Sequence, residues 1–375
     1  MRRSARGFVL TCALALMACA APAAQATGRY RLVAYVAGWE TLSRIDARKL
    51  TAINYAFAHI DKDGRIILDQ PRADDFLARM RELKSANPEL KILVSVGGWG
   101  ADGFSDAAES ESSRAKFAES AADLIAHNVL DGVDLDWEYP GLPGPGIRHR
   151  DEDKHNFTLL LQTLRGKLDA LAHERRHRAD EHYLLTAALA DSEFVAHIEL
   201  DRIHAYLDWI DLMTYDFHNS LTPTTGHHAA LSRSATSAAG ERSVARAVGQ
   251  YLAAGVPARK LIVGVPFYGR ACAGVHADNH GLDQAYTRYD ADYPWSRLVA
   301  DFIGRNGYVR YWDATANAPY LWNAQSSVFI SYDDPKSLAI KARFVKSHGL
   351  GGIMYWEQSQ DLDGQLLEAL SAALQ

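Results

Sequence analysis

Four acidic residues fall within one short apolar stretch, residues 131–138, whose sequence is DGVDLDWE. In a β-strand successive side chains alternate between two faces, so Asp134, Asp136 and Glu138 are predicted to share one face, about 6–7 Å apart. Asp131 has the opposite parity, which favours a turn or capping role at the start of the strand. Carboxyl groups this close cannot all ionise, so at least one should keep a raised pKa, as a general acid near neutral pH requires.

A cation site built from the same acids is the alternative to acid–base catalysis. The spacing lacks the glycine and the loop of an EF-hand, and oxygen ligands rarely line a strand flanked by leucine and tryptophan. The pattern therefore favours catalysis, and no metal site is predicted. The neighbouring His227 and His228 are interpreted as loop residues, and Cys272 as a small buried side chain.

The pattern D-x-x-D-x-D-x-E resembles the signature of glycoside hydrolase family 18, the chitinases and their relatives. The resemblance implies that Glu138 is the catalytic acid and base, and that Asp136 and Asp134 assist it. Other predicted strand ends add to the similarity. They read SVGG at 95–98, MTYD at 213–216 and PFYGR at 266–270, close to the family patterns S-x-G-G, M-x-Y-D and P-x-Y-G-R.

Several further site residues follow from the same resemblance. It implies that Tyr215 donates a hydrogen bond to the acetamido oxygen of the substrate, that Asp216 binds sugar hydroxyls or the amide, and that Trp356 forms the floor where the bond is cut. The remaining positions that match the family's sugar-binding pocket are Met213, Tyr35, Phe57, Trp99, Tyr139, Tyr268 and Arg270. From the residues alone, aromatic side chains such as Tyr35, Phe57 and Trp99 fit a barrel core as well as a sugar platform.

Strand-like and helix-like segments alternate along the chain. Strands are predicted at 31–36, 52–59, 91–96, the 131–138 stretch, 183–189, 208–215, 261–267 and 352–356; helices are predicted at 73–85, 112–126, 155–172, 243–254, 335–347 and 364–374. Such alternation indicates an α/β fold with a parallel sheet, and eight repeats fit a closed (β/α)8 TIM barrel. Barrel enzymes carry their chemistry at the carboxyl ends of the strands, where Glu138 falls.

One segment interrupts this alternation. About 65 residues separate the seventh strand from the next helix, too many for an ordinary βα loop. The segment is rich in tyrosine and tryptophan and has little helical periodicity. We therefore expect a small inserted α+β lobe at about residues 271–331, between strand 7 and helix 7, which raises one wall of the groove.

The first 26 residues indicate bacterial export. Three arginines precede an apolar run and a small-x-small cleavage site, which predicts a signal peptide at 1–26 and a catalytic domain at 27–375. A lipobox ending at Cys19 is the competing interpretation, with a lipid-anchored chain as its result. Either way the protein is expected to be secreted or periplasmic, and no later apolar run is long enough to span a membrane.

Charge narrows the range of partners. The formal net charge is −6, and it becomes more negative once the arginines of the signal are removed, which argues against nucleic acid or an anionic membrane as a partner. We expect a monomer whose partner is its glycan substrate and which needs no metal or organic cofactor.

The resemblance implies retaining, substrate-assisted hydrolysis of β-1,4-N-acetylglucosamine linkages in chitin and chitooligosaccharides. An endo-β-N-acetylglucosaminidase acting on glycoprotein or cell-wall glycans is the alternative. A non-catalytic lectin on the same barrel is a further one, although such proteins usually lack the acid that Glu138 supplies. The chain departs from the family after His218, where many relatives have Gly-x-Trp and residues 219–221 read NSL. The resemblance therefore does not extend to the leaving-group side of the groove, which governs the preferred polymer length and processivity.

Overall fold

The structure is a computed structural model that describes residues 30–40, 44–70, 72–128, 130–178 and 181–375. The predicted signal peptide and Cys19 lie outside the described residues. The strands are β1 (Arg31–Ala37), β2 (Ala52–Ile60), β3 (Ile66–Ile67), β4 (Lys91–Gly97), β5 (Gly132–Asp136), β6 (Leu184–Leu189), β7 (Trp209–Leu212), β8 (Leu261–Pro266), β9 (Tyr268–Ala273), β10 (Arg288–Pro294), β11 (Val309–Asp313), β12 (Ala318–Asn323), β13 (Val328–Ser331) and β14 (Gly352–Trp356). The α-helices are α1 (Ala73–Ala86), α2 (Phe104–Glu109), α3 (Glu111–His127), α4 (Asp153–Glu174), α5 (Leu200–Ile203), α6 (Val244–Ala253), α7 (Trp295–Arg297), α8 (Pro335–Ser347) and α9 (Gln365–Leu374).

Eight parallel strands close into a barrel. Their order is β1-β2-β4-β5-β6-β7-β8-β14, and β14 pairs with β1 to complete the ring. This arrangement confirms the predicted (β/α)8 TIM barrel. The strands are apolar runs because each is covered on both faces, by the barrel interior and by the outer helices. At Gly132 a Cβ atom would lie 2.1 Å from the carbonyl oxygen of Leu184, so only glycine allows β5 and β6 to approach this closely.

The helices pack on the outside of the barrel through one apolar face each. On α4 that face is formed by Leu160, Leu161, Leu164 and Leu168, all fully buried and spaced at helical intervals. Helix α8 begins with a capping box, in which the Asp334 side chain accepts from backbone N–H groups of the first turn. Within the part of the chain that the structure describes, no helix combines the length and the apolar character needed to cross a membrane.

Two strands end earlier than their sequence patterns predict. The fourth barrel strand, β5, ends at Asp136, and the sixth, β7, ends at Leu212 rather than at Tyr215. In the second case the Thr214 hydroxyl donates to the Gly264 carbonyl at 2.7 Å, and Asp216 adopts a left-handed conformation with φ of 57°, so the backbone turns away from the ladder. Glu138, Tyr215 and Asp216 therefore lie on the segments that leave the barrel mouth.

A second sheet stands at that mouth. Five antiparallel strands pair in the order β10-β9-β13-β12-β11, around a core that includes Cys272, Tyr320, Trp322 and Phe329. The sheet starts at Tyr268, three residues before the predicted beginning of the lobe, because β9 follows β8 with only Phe267 between them. The first strand of the lobe is thus a direct continuation of a barrel strand.

Candidate active site

Asp134 lies deepest in the site, fully buried on β5. Three hydroxyl groups from neighbouring strands donate to its carboxyl group: Tyr35 at 2.7 Å and Ser95 at 2.7 Å to Oδ2, and Thr186 at 2.6 Å to Oδ1. Burial raises the pKa of Asp134, and the three hydrogen bonds oppose that rise because they favour the ionised form. Among the three acids of the 131–138 stretch that face the site, Asp134 receives the most donors, so within that stretch it is the best place for a negative charge.

Asp136 follows at the end of β5 and is also buried. Its Oδ1 has no hydrogen-bond partner among the described residues. Burial, and then the nearby charges of Glu138 and Asp134, raise the pKa of Asp136 well above its usual range. An unsatisfied buried oxygen costs about 1–3 kcal/mol, so this atom is suited to a group that arrives with the substrate.

Glu138 stands just beyond the strand, closer to the cleft. Burial raises the pKa of its carboxyl group to about 7; a hydrogen bond from Tyr139 opposes the shift, and the charge of Asp216 adds to it. A carboxyl group that still carries a proton near neutral pH can act as a general acid.

Asp134, Asp136 and Glu138 form an array of acids, and the glycines of the SVGG segment bring β4 against this array. Gly97 has φ of 115°, and a Cβ atom there would lie 2.2 Å from the carbonyl oxygen of Asp136. The Gly98 N–H donates to that same oxygen at 2.9 Å. On the opposite face, Trp137 is stacked on Phe104 with ring centroids 5.2 Å apart. The array is thereby fixed from both sides of its strand.

Tyr215 is buried beside the array, in an apolar layer that also holds Tyr35, Phe57, Met213 and Trp356. Burial, and then the charge of Asp136, raise the pKa of the Tyr215 hydroxyl well above its usual value. The hydroxyl therefore stays protonated near neutral pH and can donate a hydrogen bond there.

Asp216 lies across the cleft in a different environment. Its Oδ1 accepts from the Tyr268 hydroxyl at 2.6 Å and from Nε of Arg270, and Nδ1 of His228 is 3.6 Å away. Burial alone would raise the pKa of Asp216, but the interactions with His228 and Arg270 outweigh burial and hold the pKa well below its usual range. Asp216 is therefore a permanent anion. His228 does lie in a loop, but its ring is fully buried.

Aromatic rings line the cleft on both sides of the array. Trp356 is stacked on Phe57, with centroids 5.6 Å apart, and lies 5.6 Å from Tyr35. Beside Glu138, Trp99 meets the edge of Tyr139 at 6.2 Å and is 61% exposed. Trp99 is thus an exposed platform rather than a core residue, whereas Tyr35 and Phe57 belong to the barrel core and face the site at the same time.

The structure brings all the predicted site residues to one end of the barrel and adds three that the sequence analysis missed. Trp39, 53% exposed, is stacked on Phe57 at 6.1 Å and lies 6.2 Å from Trp356. Its signal was the Gly-Trp pair directly after the first strand. Thr186 completes the donors to Asp134, with no local signal. Asp211 is a fully buried carboxyl group on β7, at the same parity as Met213.

A (β/α)8 barrel with a glutamate of raised pKa, two buried aspartates and an aromatic floor at its mouth is typical of a glycoside hydrolase. Comparison with known proteins agrees: the model of the family described as Glycosyl hydrolases family 18 matches residues 31–361. The chain belongs to glycoside hydrolase family 18.

Individual relatives extend over most of the chain. Chitinase A1 of Niallia circulans is 38% identical over 94% of the chain, which spans 59% of that longer protein. Chitotriosidase-1 of Mus musculus is 34% identical over 87% of the chain and 72% of its own length. A solved structure described as a family 18 N-acetylglucosaminidase from Paenibacillus barengoltzii superimposes with a TM-score of 0.86 at 41% identity, over 92% of this chain and 99% of the other.

Proposed function

We propose that the chain is a chitinase that hydrolyses β-1,4-N-acetylglucosamine linkages in chitin and chitooligosaccharides with retention of configuration. The observation that carries the proposal is the pair formed by Glu138, whose pKa is raised to about 7, and an unsatisfied, buried oxygen of Asp136. The pair suits a substrate with an acetamido N–H beside the bond to be cut. The chitinases among the relatives support this choice of substrate.

In the first step Glu138 gives its proton to the glycosidic oxygen, and the bond from that oxygen to the anomeric carbon breaks. The acetamido oxygen of the same sugar attacks the anomeric carbon and forms an oxazolinium ion. Asp136 accepts a hydrogen bond from the acetamido N–H and stabilises the positive charge that develops on the ring. Tyr215 donates to the amide oxygen and so fixes its direction of attack.

In the second step the ionised Glu138 takes a proton from water. The water oxygen attacks the anomeric carbon from the side that the leaving group has vacated, and the oxazolinium ring opens to regenerate the acetamido group. Two inversions give net retention, and Glu138 again holds a proton. Throughout the cycle Asp134 is held by its three hydroxyl donors, and its negative charge offsets the positive charge that develops on the sugar ring.

Asp216 is suited to hold the sugar rather than to move protons. Its Oδ1 already accepts from Tyr268 and Arg270, whereas Oδ2 has no hydrogen-bond partner among the residues described. An anionic oxygen left free at the wall of the cleft can accept hydrogen bonds from sugar hydroxyls or from the amide. The exposed rings of Trp39 and Trp99 supply platforms for sugars on the two sides of the cutting point.

The test is hydrolysis of N-acetylglucosamine hexamer, with the anomer of each new reducing end followed by NMR from the first minutes. We expect β-anomers of dimers to tetramers. The variant Glu138→Gln should lose about 10²–10⁴-fold in kcat and still bind the hexamer. Glu119→Gln, an exposed position on α3, is the matched control and should match the wild type. New α-anomers, or an active Glu138→Gln variant, would contradict the mechanism.

A second candidate is removal of single N-acetylglucosamine units. It is favoured by the similarity to the N-acetylglucosaminidase from Paenibacillus barengoltzii. It is also favoured by Leu221, an 82% exposed side chain at the position where many relatives have a tryptophan that could extend the groove. The same hexamer digestion separates the two, because release of monomer alone would favour this candidate. A glycopeptide with an N-linked glycan, digested in parallel, tests the endo-β-N-acetylglucosaminidase alternative.

A further inference from the structure

Asp211 is a fully buried carboxyl group that takes no part in the steps above. It lies in the middle of β7, paired in register with Ala188 of β6 and Ile262 of β8. Both of these neighbours belong to the apolar layer inside the barrel, so the Asp211 side chain points into the same interior as the array. A carboxyl group in such a place is costly unless it is paired or neutral.

The hydrogen bonds of Asp211 indicate that it carries a proton. Its Oδ2 accepts from Nδ2 of Asn54 at 3.3 Å and from Nε1 of Trp209 at 3.1 Å, and both donors are neutral. Its Oδ1 and the Oδ1 of Asn54 are both buried, with no partner in the described part of the chain. Two orphaned acceptors on side chains already in contact lack a hydrogen, which a protonated Asp211 supplies.

Charged and titratable groups reach Asp211 from two other strands and from the end of its own. They are Arg31 and Tyr35 of β1, Asp134 and Asp136 of β5, and Tyr215 beyond β7. From β2, β6 and β8 it faces only uncharged side chains: Asn54, Ala188 and Ile262. Arg31, whose guanidinium lies 5.0 Å from the Trp209 ring centroid, is the one cation of this set.

The interaction with the array runs in both directions. Burial, and then the charge of Asp134, raise the pKa of Asp211, and a charge on Asp211 contributes to the raised pKa of Asp136. Asp136 in turn is coupled to Glu138 by mutual repulsion. Carboxyl groups linked in this way release their protons as a set rather than singly.

We propose that Asp211 is a positioning residue that shares protons with the array of Asp134, Asp136 and Glu138 and extends activity towards higher pH. As the pH rises, a negative charge on Asp211 opposes the loss of protons from Asp136 and, through Asp136, from Glu138. The role rests on the proposed function of Glu138 as the acid.

The test is the pH profile of kcat on the hexamer for Asp211→Asn, which keeps the shape of the side chain but cannot ionise. We expect the alkaline limb to move to lower pH by about 0.5–1 unit, with kcat on the acidic plateau within about threefold of wild type. Asp201→Asn is the matched control; it removes an exposed carboxyl group on α5, which lies outside the array. An unchanged limb in a folded Asp211→Asn variant would overturn the proposal.

A measurement on the wild-type enzyme tests the same idea should that variant fail to fold. The Trp209 indole N–H donates to Asp211, so its ¹⁵N–¹H resonance reports the charge on that carboxyl group. The chain has eight tryptophans, and Trp209→Phe assigns the signal. We expect a shift over the pH range of the alkaline limb, and a flat signal would refute the sharing of protons. Because this readout needs no turnover, it separates failure of the role of Asp211 from failure of the proposed function.

Discussion

Glu138 and Asp216 face the same cleft and are both partly exposed, but their neighbours differ in charge. Glu138 is hydrogen-bonded to the Tyr139 hydroxyl and is repelled by the charge of Asp216, and burial raises its pKa to about 7. Around Asp216 stand Arg270 and His228, and its pKa is held well below the usual range in spite of burial. Burial therefore decides the pKa of Glu138, whose neighbouring charge is negative, but not that of Asp216, where the interactions with His228 and Arg270 outweigh it.

The two environments come from different parts of the fold. The barrel supplies three uncharged hydroxyl donors to Asp134, from the strands β1, β4 and β6. The cation that fixes Asp216 comes from β9, the first strand of the inserted sheet. The lobe thus contributes an electrostatic partner to the site as well as a wall. A proton carrier and a fixed anion can then work side by side at one pH.

The strongest way to break this comparison is to neutralise one acid on each side. We expect Asp136→Asn to lower kcat on the hexamer by about 10²–10³-fold, because it removes the negative charge that stabilises the positive charge developing on the sugar ring. Asp216→Asn should instead raise KM more than it lowers kcat, since that carboxylate binds the sugar in both ground and transition states. Steady-state kinetics on both variants supplies the comparison, and equal losses of kcat would mean that the two acids do not have separate roles.

Removing the Arg270 cation should make the environment of Asp216 more like that of Glu138. In Arg270→Met, Asp216 loses a charged partner, so its pKa rises and it becomes protonated as the pH falls. We expect the acidic limb of kcat/KM to move to higher pH, with a loss of about 10–100-fold on the acid side and a smaller loss near neutral pH. Arg297→Met, an exposed arginine of the same lobe, is the control. A uniform loss at all pH values would show that Arg270 acts by shape rather than charge.

The proton carriers were predictable from sequence because they are local. Asp134, Asp136 and Glu138 lie within five residues, and a period of two places them on one face without any knowledge of the fold. The eight barrel strands were predictable for a similar reason, since each is a continuous apolar run between helical segments. The end of β7 was not, because the bond from Thr214 to the Gly264 carbonyl joins residues far apart in the chain.

The fixed anion depends on contacts that no local pattern contains. Arg270 lies 54 positions from Asp216, and the two meet only because β9 continues out of the barrel. The buried position of Asp211 is still harder to predict from the sequence. A single acid in a strand is compatible with a solvent-facing position, and only the closure of the barrel turns it inward next to Asn54.

The raised pKa of Glu138 should also appear in stability. A carboxyl group with a folded pKa of about 7 and an ordinary value of 4.5 favours folding fully below 4.5, and that contribution is lost as the pH rises through 7. Glu138→Gln carries no such penalty, so it should be about 1–3 kcal/mol more stable than wild type at pH 8 and equal to it at pH 4. Thermal unfolding at both pH values measures this, and a variant no more stable at pH 8 would argue against an acid held neutral by burial.

The smallest effect concerns the deepest residue. Ser95→Ala removes one of the three donors to Asp134 and should cost about 1–2 kcal/mol of unfolding free energy where Asp134 is ionised. That cost should shrink in acid, because a hydrogen bond to a protonated carboxyl group is weaker. Urea unfolding at neutral and acid pH gives both values, and Ser85→Ala, an exposed serine on α1, is the control. A cost that stays the same at both pH values would mean that Asp134 remains protonated, and the negative charge of the array would then have to lie on Asp136 or Glu138, which would remove the contrast with Asp216.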